Sequence, residues 1–151
     1  MLSGLSIIIL RDMKAYLNIG MMVIGLLAAP GLRAQVSMKP ERCVEIPVEN
    51  SKMAPLTEPE LDKLETLIND AISAYNAKTK WSKIKGKYLT QIQQTTNAQG
   101  HREVMVNCLC HPWPGWRQEL TYVSDGGSCY FRMKIDLDTG RVSDIMVNGV
   151  A

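Results

Sequence analysis

The sequence predicts an α+β fold: one long amphipathic helix packed on a curved antiparallel sheet, in the order β-α-β-β-β-β-β. Three observations predict it. Residues 57–81 repeat their apolar positions at intervals of three and four, the period of a helix. From Lys83 onward the repeat changes to two, the period of a strand. Short turn signals rather than helix-length links separate the later segments, and a meander of strands covering one helix is an α+β arrangement.

The elements follow in order. "CVEIPV" alternates, with Val44, Ile46 and Val48 on one side and Glu45 and Pro47 on the other. Pro47 has no N–H to give a ladder, so this short strand belongs at an edge. Residues 35–42 and 49–56 read as linkers. The helix opens at Thr57, with Pro59 in the first turn and Glu60 completing a Thr-x-x-Glu capping box. Leu61, Leu64, Leu67, Ile68, Ala71, Ile72 and Tyr75 make its apolar face. Glu58, Glu60 and Asp62 suit the positive N-terminus, and Lys78 and Lys80 suit the negative end.

"KIKGKYLTQIQQT" then places Ile84, Tyr88 and Ile92 on one strand face, with Gly86 where the strand bends. "HREVMVNCLC" returns with Val104, Val106, Cys108 and Cys110 on one face. "WRQELTYVS" reads as the next strand and "DGGS" as a hairpin turn. "CYFRMKIDL" aligns Cys129, Phe131, Met133, Ile135 and Leu137. "DTG" turns the chain into a last strand, "RVSDIMVNG".

The front of the chain is different in kind. Arg11 and Lys14 precede an uninterrupted apolar run, Ile19 to Ala29, and "PGLRA" follows. A basic start, a short apolar stretch and a helix-breaking end in Ala make a secretory signal, residues 1–34, with translation starting at Met1 or Met13. The run is short of the roughly 20 apolar residues that a membrane span needs. One domain, residues 35–151, is then exported to the periplasm or secreted. An uncleaved leader kept as an anchor is the alternative.

Seventeen Lys+Arg stand against 15 Asp+Glu. Setting aside Arg11, Lys14, Arg33 and Asp12 leaves 14 of each, so the excess positive charge belongs to the leader and gives no ground for a nucleic-acid partner. Charge is nevertheless uneven. Residues 78–117 hold seven basic groups and one acidic. Lys83, Lys85 and Lys87 fall on one strand face, where they either protect an edge or meet an anionic partner.

All four cysteines, Cys43, Cys108, Cys110 and Cys129, lie in the exported part, and an even count there reads first as disulfides. Shared strand faces favour Cys129 bonded to Cys108 or Cys110, and Cys43 bonded to the one left over. The alternative is a metal cluster of Cys108, Cys110 and His111, although Cys-x-Cys is one residue short of the usual zinc spacing. A redox Cys-x-x-Cys opening a helix is absent.

One helix laid in a bent sheet resembles the cystatin-like fold across residues 42–148. The cystatin resemblance implies a fold and not a protease-inhibiting site. Pro112-Trp113 matches the Pro-Trp of inhibitory cystatins, but the first hairpin, "QQTTNAQG", lacks Gln-x-Val-x-Gly, and no glycine lies between Gln35 and Lys85. The last hairpin, "KIDLDTGRV", resembles those of PepSY-type secreted domains, a pattern that ordinary turn chemistry at Gly140 also explains.

No nucleophile context or phosphate-binding loop is present, so the expectation is a non-enzyme without a cofactor. The expected function is an exported protein-binding domain, an inhibitor or immunity-like partner. Trp113 and Trp116, a rigid aromatic pair around Pro114-Gly115, are its expected contacts, together with Lys83, Lys85 and Lys87. A small envelope metal-binding protein and a small-molecule cup between helix and sheet are the alternatives.

Overall fold

The computed structural model describes residues 34–143 and 145–149, so nearly all of the expected leader and Asp144 lie outside the described residues. The elements are β1 (Cys43–Glu45), α1 (Glu58–Lys78), β2 (Leu89–Thr96), β3 (Arg102–Leu109), β4 (Tyr130–Asp136) and β5 (Met146–Val147). A short 3-10 turn, Gly127–Cys129, leads into β4. The five strands form one sheet in the order β1-β2-β3-β4-β5, and α1 covers one face.

The expected α+β class, one helix on an open sheet, is what the chain forms, with four differences. First, the sheet is mixed. β1 runs parallel to β2 because α1 carries the chain back between them, whereas the remaining pairs are antiparallel. Second, "WRQELTYVS" is a loop. β3 pairs directly with β4, from Glu103↔Asp136 to Leu109↔Tyr130, and no ladder position is left for an intervening strand. "DGGS" therefore makes no hairpin; Gly126 and Gly127, both at positive φ, feed the 3-10 turn instead.

Third, regular pairing of β2 starts only at Leu89. Gly86, at φ 97°, breaks the extended run, and Lys87 makes a lone bridge to Gln35. Fourth, residues 35–42 are not a linker. Val36 and Met38 are buried, and Asn69 of α1 bonds both Val36 N–H and Val36 C=O at 3.1 Å. Leu56, in the second expected linker, is buried as well.

Helix α1 forms as its capping box requires. The Glu60 carboxylate accepts the Thr57 backbone N–H at 2.7 Å. Leu64, Ile68 and Ile72, spaced by four, are buried, with Leu61, Leu67, Ala71 and Tyr75 packed partly around them. They meet the sheet face made by Tyr88, Ile92, Val104, Val106, Phe131, Met133 and Ile135. The Tyr88 and Phe131 rings meet edge to face at 4.9 Å. These side chains fill the space where a small-molecule cup was the alternative.

One disulfide forms, Cys110–Cys129, with Cα atoms 4.9 Å apart. Cys43 and Cys108 are buried free thiols, and the expected second bridge is absent. Register gives the reason. Cys43 pairs with Thr90 and Thr90 pairs with Cys108, so strand β2 runs between the two sulfurs. The metal alternative is corrected by the same arrangement. Cys108 is in the core, the Cys110 sulfur is bonded to Cys129, and His111 is exposed.

The protein is therefore expected to weigh about 2 Da less than its fully reduced form, one pair of hydrogens for one bridge. Thiol titration should find two thiols that react only after unfolding. A second bridge, or thiols reactive in the native state, would contradict this arrangement.

Candidate functional site

The loop bounded by Cys110 and Cys129 lies across the sheet face opposite α1. It is positioned by a buried amide. Gln91 of β2 and Asn107 of β3 are opposite one another, one residue out of step with the core-facing positions, so both side chains point away from the helix. Gln91 is fully buried, and all four of its hydrogen-bonding positions are used. Its Nε2 donates to Trp116 C=O at 2.5 Å and to Glu119 C=O at 2.7 Å. Its Oε1 accepts from Thr121 N–H and from Asn107 Nδ2, both at 2.9 Å. Asn107 Nδ2 also donates to Thr121 C=O at 2.9 Å.

Other ties fix the rest of the loop. Cys110 N–H donates to Cys129 C=O at 3.0 Å beside the disulfide. Asn148 Nδ2 donates to Asp125 C=O at 3.0 Å. Arg117 donates to Pro40 C=O and Glu41 C=O at 3.1 and 3.0 Å, and its guanidinium lies 4.4 Å from the Trp116 ring centre. Gly115, at φ 77°, makes the turn that brings Glu119 N–H back to Gly115 C=O. The backbone of this loop is thus held by the side chains of Gln91, Asn107 and Asn148 and by its own turns, not by a strand ladder.

Of the two expected contact tryptophans, Trp113 is 46% exposed, with its Nε1 donating to Tyr130 Oη at 3.2 Å. Trp116 is half-buried under Arg117. Tyr122, which sequence reasoning missed as a contact residue, is 74% exposed. The loop leaves it outside.

Lys83, Lys85 and Lys87 are all exposed, but on the irregular segment before β2 and not on a regular strand face. The same end of the sheet holds them and the disulfide loop. The Tyr88 hydroxyl is shared between Lys85 C=O at 3.0 Å and Ser128 C=O at 2.9 Å, which ties the two segments together. Trp81, also missed, is 94% exposed among these lysines. The available signal was its place beyond the helix end, off the three-and-four apolar series.

At the opposite end, His101, Asp136 and Asp138 bring ligand atoms within 4.8 Å of one another. Turn formation already employs them. Asp136 accepts the backbone N–H groups of Asp138 and Thr139 at 3.0 and 2.9 Å, and also faces His101 Nδ1 at 2.8 Å. Asp138 accepts Arg102 N–H at 3.1 Å. Hydrogen bonding to Thr139, then to His101, lowers the Asp136 pKa, and the bond to Asp136 raises that of His101. The free thiols go the other way. Burial pushes the Cys43 thiol up to about 12 and raises that of Cys108 too, so neither is a ready nucleophile.

No family model, characterised protein or solved structure matches this chain.

Two outcomes are expected. A raised histidine pKa adds stability that is present below the ordinary value of 6.5 and is lost as pH rises through the raised value. The lowered Asp136 pKa adds stability present above 3.8 and lost as pH falls. The urea midpoint should therefore fall as pH is raised from below 6.5 through the raised His101 pKa in the native protein, and fall less in His101→Gln. Gln91→Leu leaves backbone groups of the loop unmatched and should cost roughly 2–4 kcal/mol in urea unfolding, with faster proteolysis inside residues 111–128. A loss below about 0.5 kcal/mol would mean that the loop does not depend on Gln91.

Proposed function

We propose that this chain is an exported, non-enzymatic binding protein that docks another protein through the Cys110–Cys129 loop, as an inhibitor or immunity-like partner. One observation carries the reading. The loop backbone is held by a disulfide and by the fully bonded Gln91 amide, yet Tyr122 is left largely outside and Trp113 nearly half outside. Ordering a contact loop in advance removes entropy that binding would otherwise cost, and large aromatic side chains are the usual anchors of protein contacts. Trp116 supports the surface from below through its stacking with Arg117.

Export is supported by the disulfide, by the leader-like sequence, and by the lack of a membrane-spanning helix among the described residues. A binding role is favoured over an enzymatic one by the occupations of the reactive groups. The free thiols are buried and His101 serves a turn. Likeness to cystatins stays one of topology, and likeness to PepSY-type domains one of a single hairpin.

A photo-crosslinking residue placed at Trp113 or at Tyr122 should trap one discrete protein in the exported fraction, and the same residue at exposed Thr66 on α1 should not. With that protein in hand, Trp113→Ala should weaken binding by about 30-fold or more, the size of a hot-spot loss. Identical adducts from all three positions, or none from Trp113 and Tyr122, would refute the loop as the contact surface.

A further inference from the structure

We infer that residues 78–87, the lysine-rich segment around Trp81, are a docking surface for an anionic lipid bilayer. This role goes beyond the protein contact proposed for the disulfide loop and does not depend on it. Lys78, Lys80, Lys83, Lys85 and Lys87 are exposed in this one stretch, and none of them makes an ion pair among the described residues. Between Asp70 and Glu103 the chain contains no acidic residue. The positive charge is therefore not neutralised locally in sequence.

Trp81 sits in the middle of these charges and is 94% exposed. No ring among the described residues stacks on it. An indole held out in water among ammonium groups suits a bilayer interface. There the ring lies among the headgroups, the lysine stems cover apolar surface, and the ammonium groups meet phosphates. Nucleic acid would call for a groove with several stacking rings, and a protein partner for a broader apolar patch. A single protruding ring with cations on both sides in sequence favours lipid.

The chain path points the same way. Gln35 is bridged to Lys87, with Gln35 N–H donating to Gly86 C=O at 2.8 Å and Tyr88 N–H to Gln35 C=O at 3.2 Å. The apolar leader run ends at Ala29, six residues before Gln35. Six residues span at most about 20 Å. While the leader is at a membrane, covalent geometry alone keeps Gln35 within that distance of it, and with Gln35 the Gly86–Lys87 end of the lysine segment that is bonded to it.

The test is co-sedimentation of the exported protein, its N-terminus read from its mass, with two kinds of vesicle. One is phosphatidylethanolamine containing phosphatidylglycerol; the other is phosphatidylcholine. Binding to the anionic vesicles is expected, falling with added salt. Each lysine near a charged surface adds about fivefold to partition, so joint Lys83→Gln, Lys85→Gln and Lys87→Gln substitution should lower it by about 100-fold. These side chains are exposed, and an unchanged urea midpoint will show that the variant still folds. Trp81→Phe should abolish the blue shift of tryptophan fluorescence on vesicle addition, whereas Trp113→Phe should leave it. Vesicle binding that survives loss of the Trp113 crosslink, or the reverse, tells the two proposals apart. Equal partition of native protein and lysine variant would overturn the inference. So would binding only to a soluble polyanion such as heparin.

Discussion

Gln91 is an uncharged polar side chain with no exposure, placed on the wrong face of the sheet to join the apolar core. A buried amide without partners would be costly, since each unmade hydrogen bond forfeits the water it gave up. The chain meets this demand by laying a loop over it. Trp116, Glu119 and Thr121 supply the backbone groups, Asn107 supplies the neighbouring amide, and the loop then cannot lie elsewhere without leaving Gln91 unsatisfied. The disulfide at the loop's two ends limits how far the chain can stray when those bonds open. The exposed positions of Trp113 and Tyr122 follow from this arrangement.

The two ends of the sheet are organised by different physics. At the end that carries the helix N-terminus, charges are paired. Arg102 bonds Glu60 at 2.6 Å, Gln94 at 2.5 Å and Ala54 C=O at 2.6 Å, and Asp136 is engaged by His101 and by the turn. At the other end charges are left unpaired, on a segment that has no acidic neighbour in sequence. A surface that keeps large aromatic side chains in water next to unneutralised lysines is poorly suited to isolation. Both proposed contacts fall at this end, which Tyr88 ties together through its shared hydroxyl.

The free thiols show how register limits disulfide chemistry. An oxidising compartment favours pairing every cysteine, and four were available. Cys43 and Cys108 share the core face, yet the sulfurs are separated by a strand whose Thr90 occupies the position between them. Burial then keeps both thiols protonated, and they behave as small apolar residues, with Cys43 Sγ packed 3.5 Å from Met38 Sδ.

The parts legible in the sequence were those governed by local rules. Helix α1 could be read from Thr57, Glu60 and its apolar spacing, because capping and periodicity act within a few residues. The alternation of Val104, Val106 and Cys108, and of Phe131, Met133 and Ile135, marked the core faces for the same reason. The Asp136–Gly140 turn was legible from its own side-chain chemistry. The tertiary structure alone decided matters that depend on residues far apart in the chain. It paired β3 with β4 across a long excursion, turned "WRQELTYVS" from an apparent strand into a loop, and chose Cys110 over Cys108 for the bridge. It also drew Val36 and Met38 from an apparent linker into the core. Alternation says which residues share a face, but a strand exists only where a neighbour has free N–H and C=O groups to meet it. Here β4 and the Gln91 amide had already claimed them.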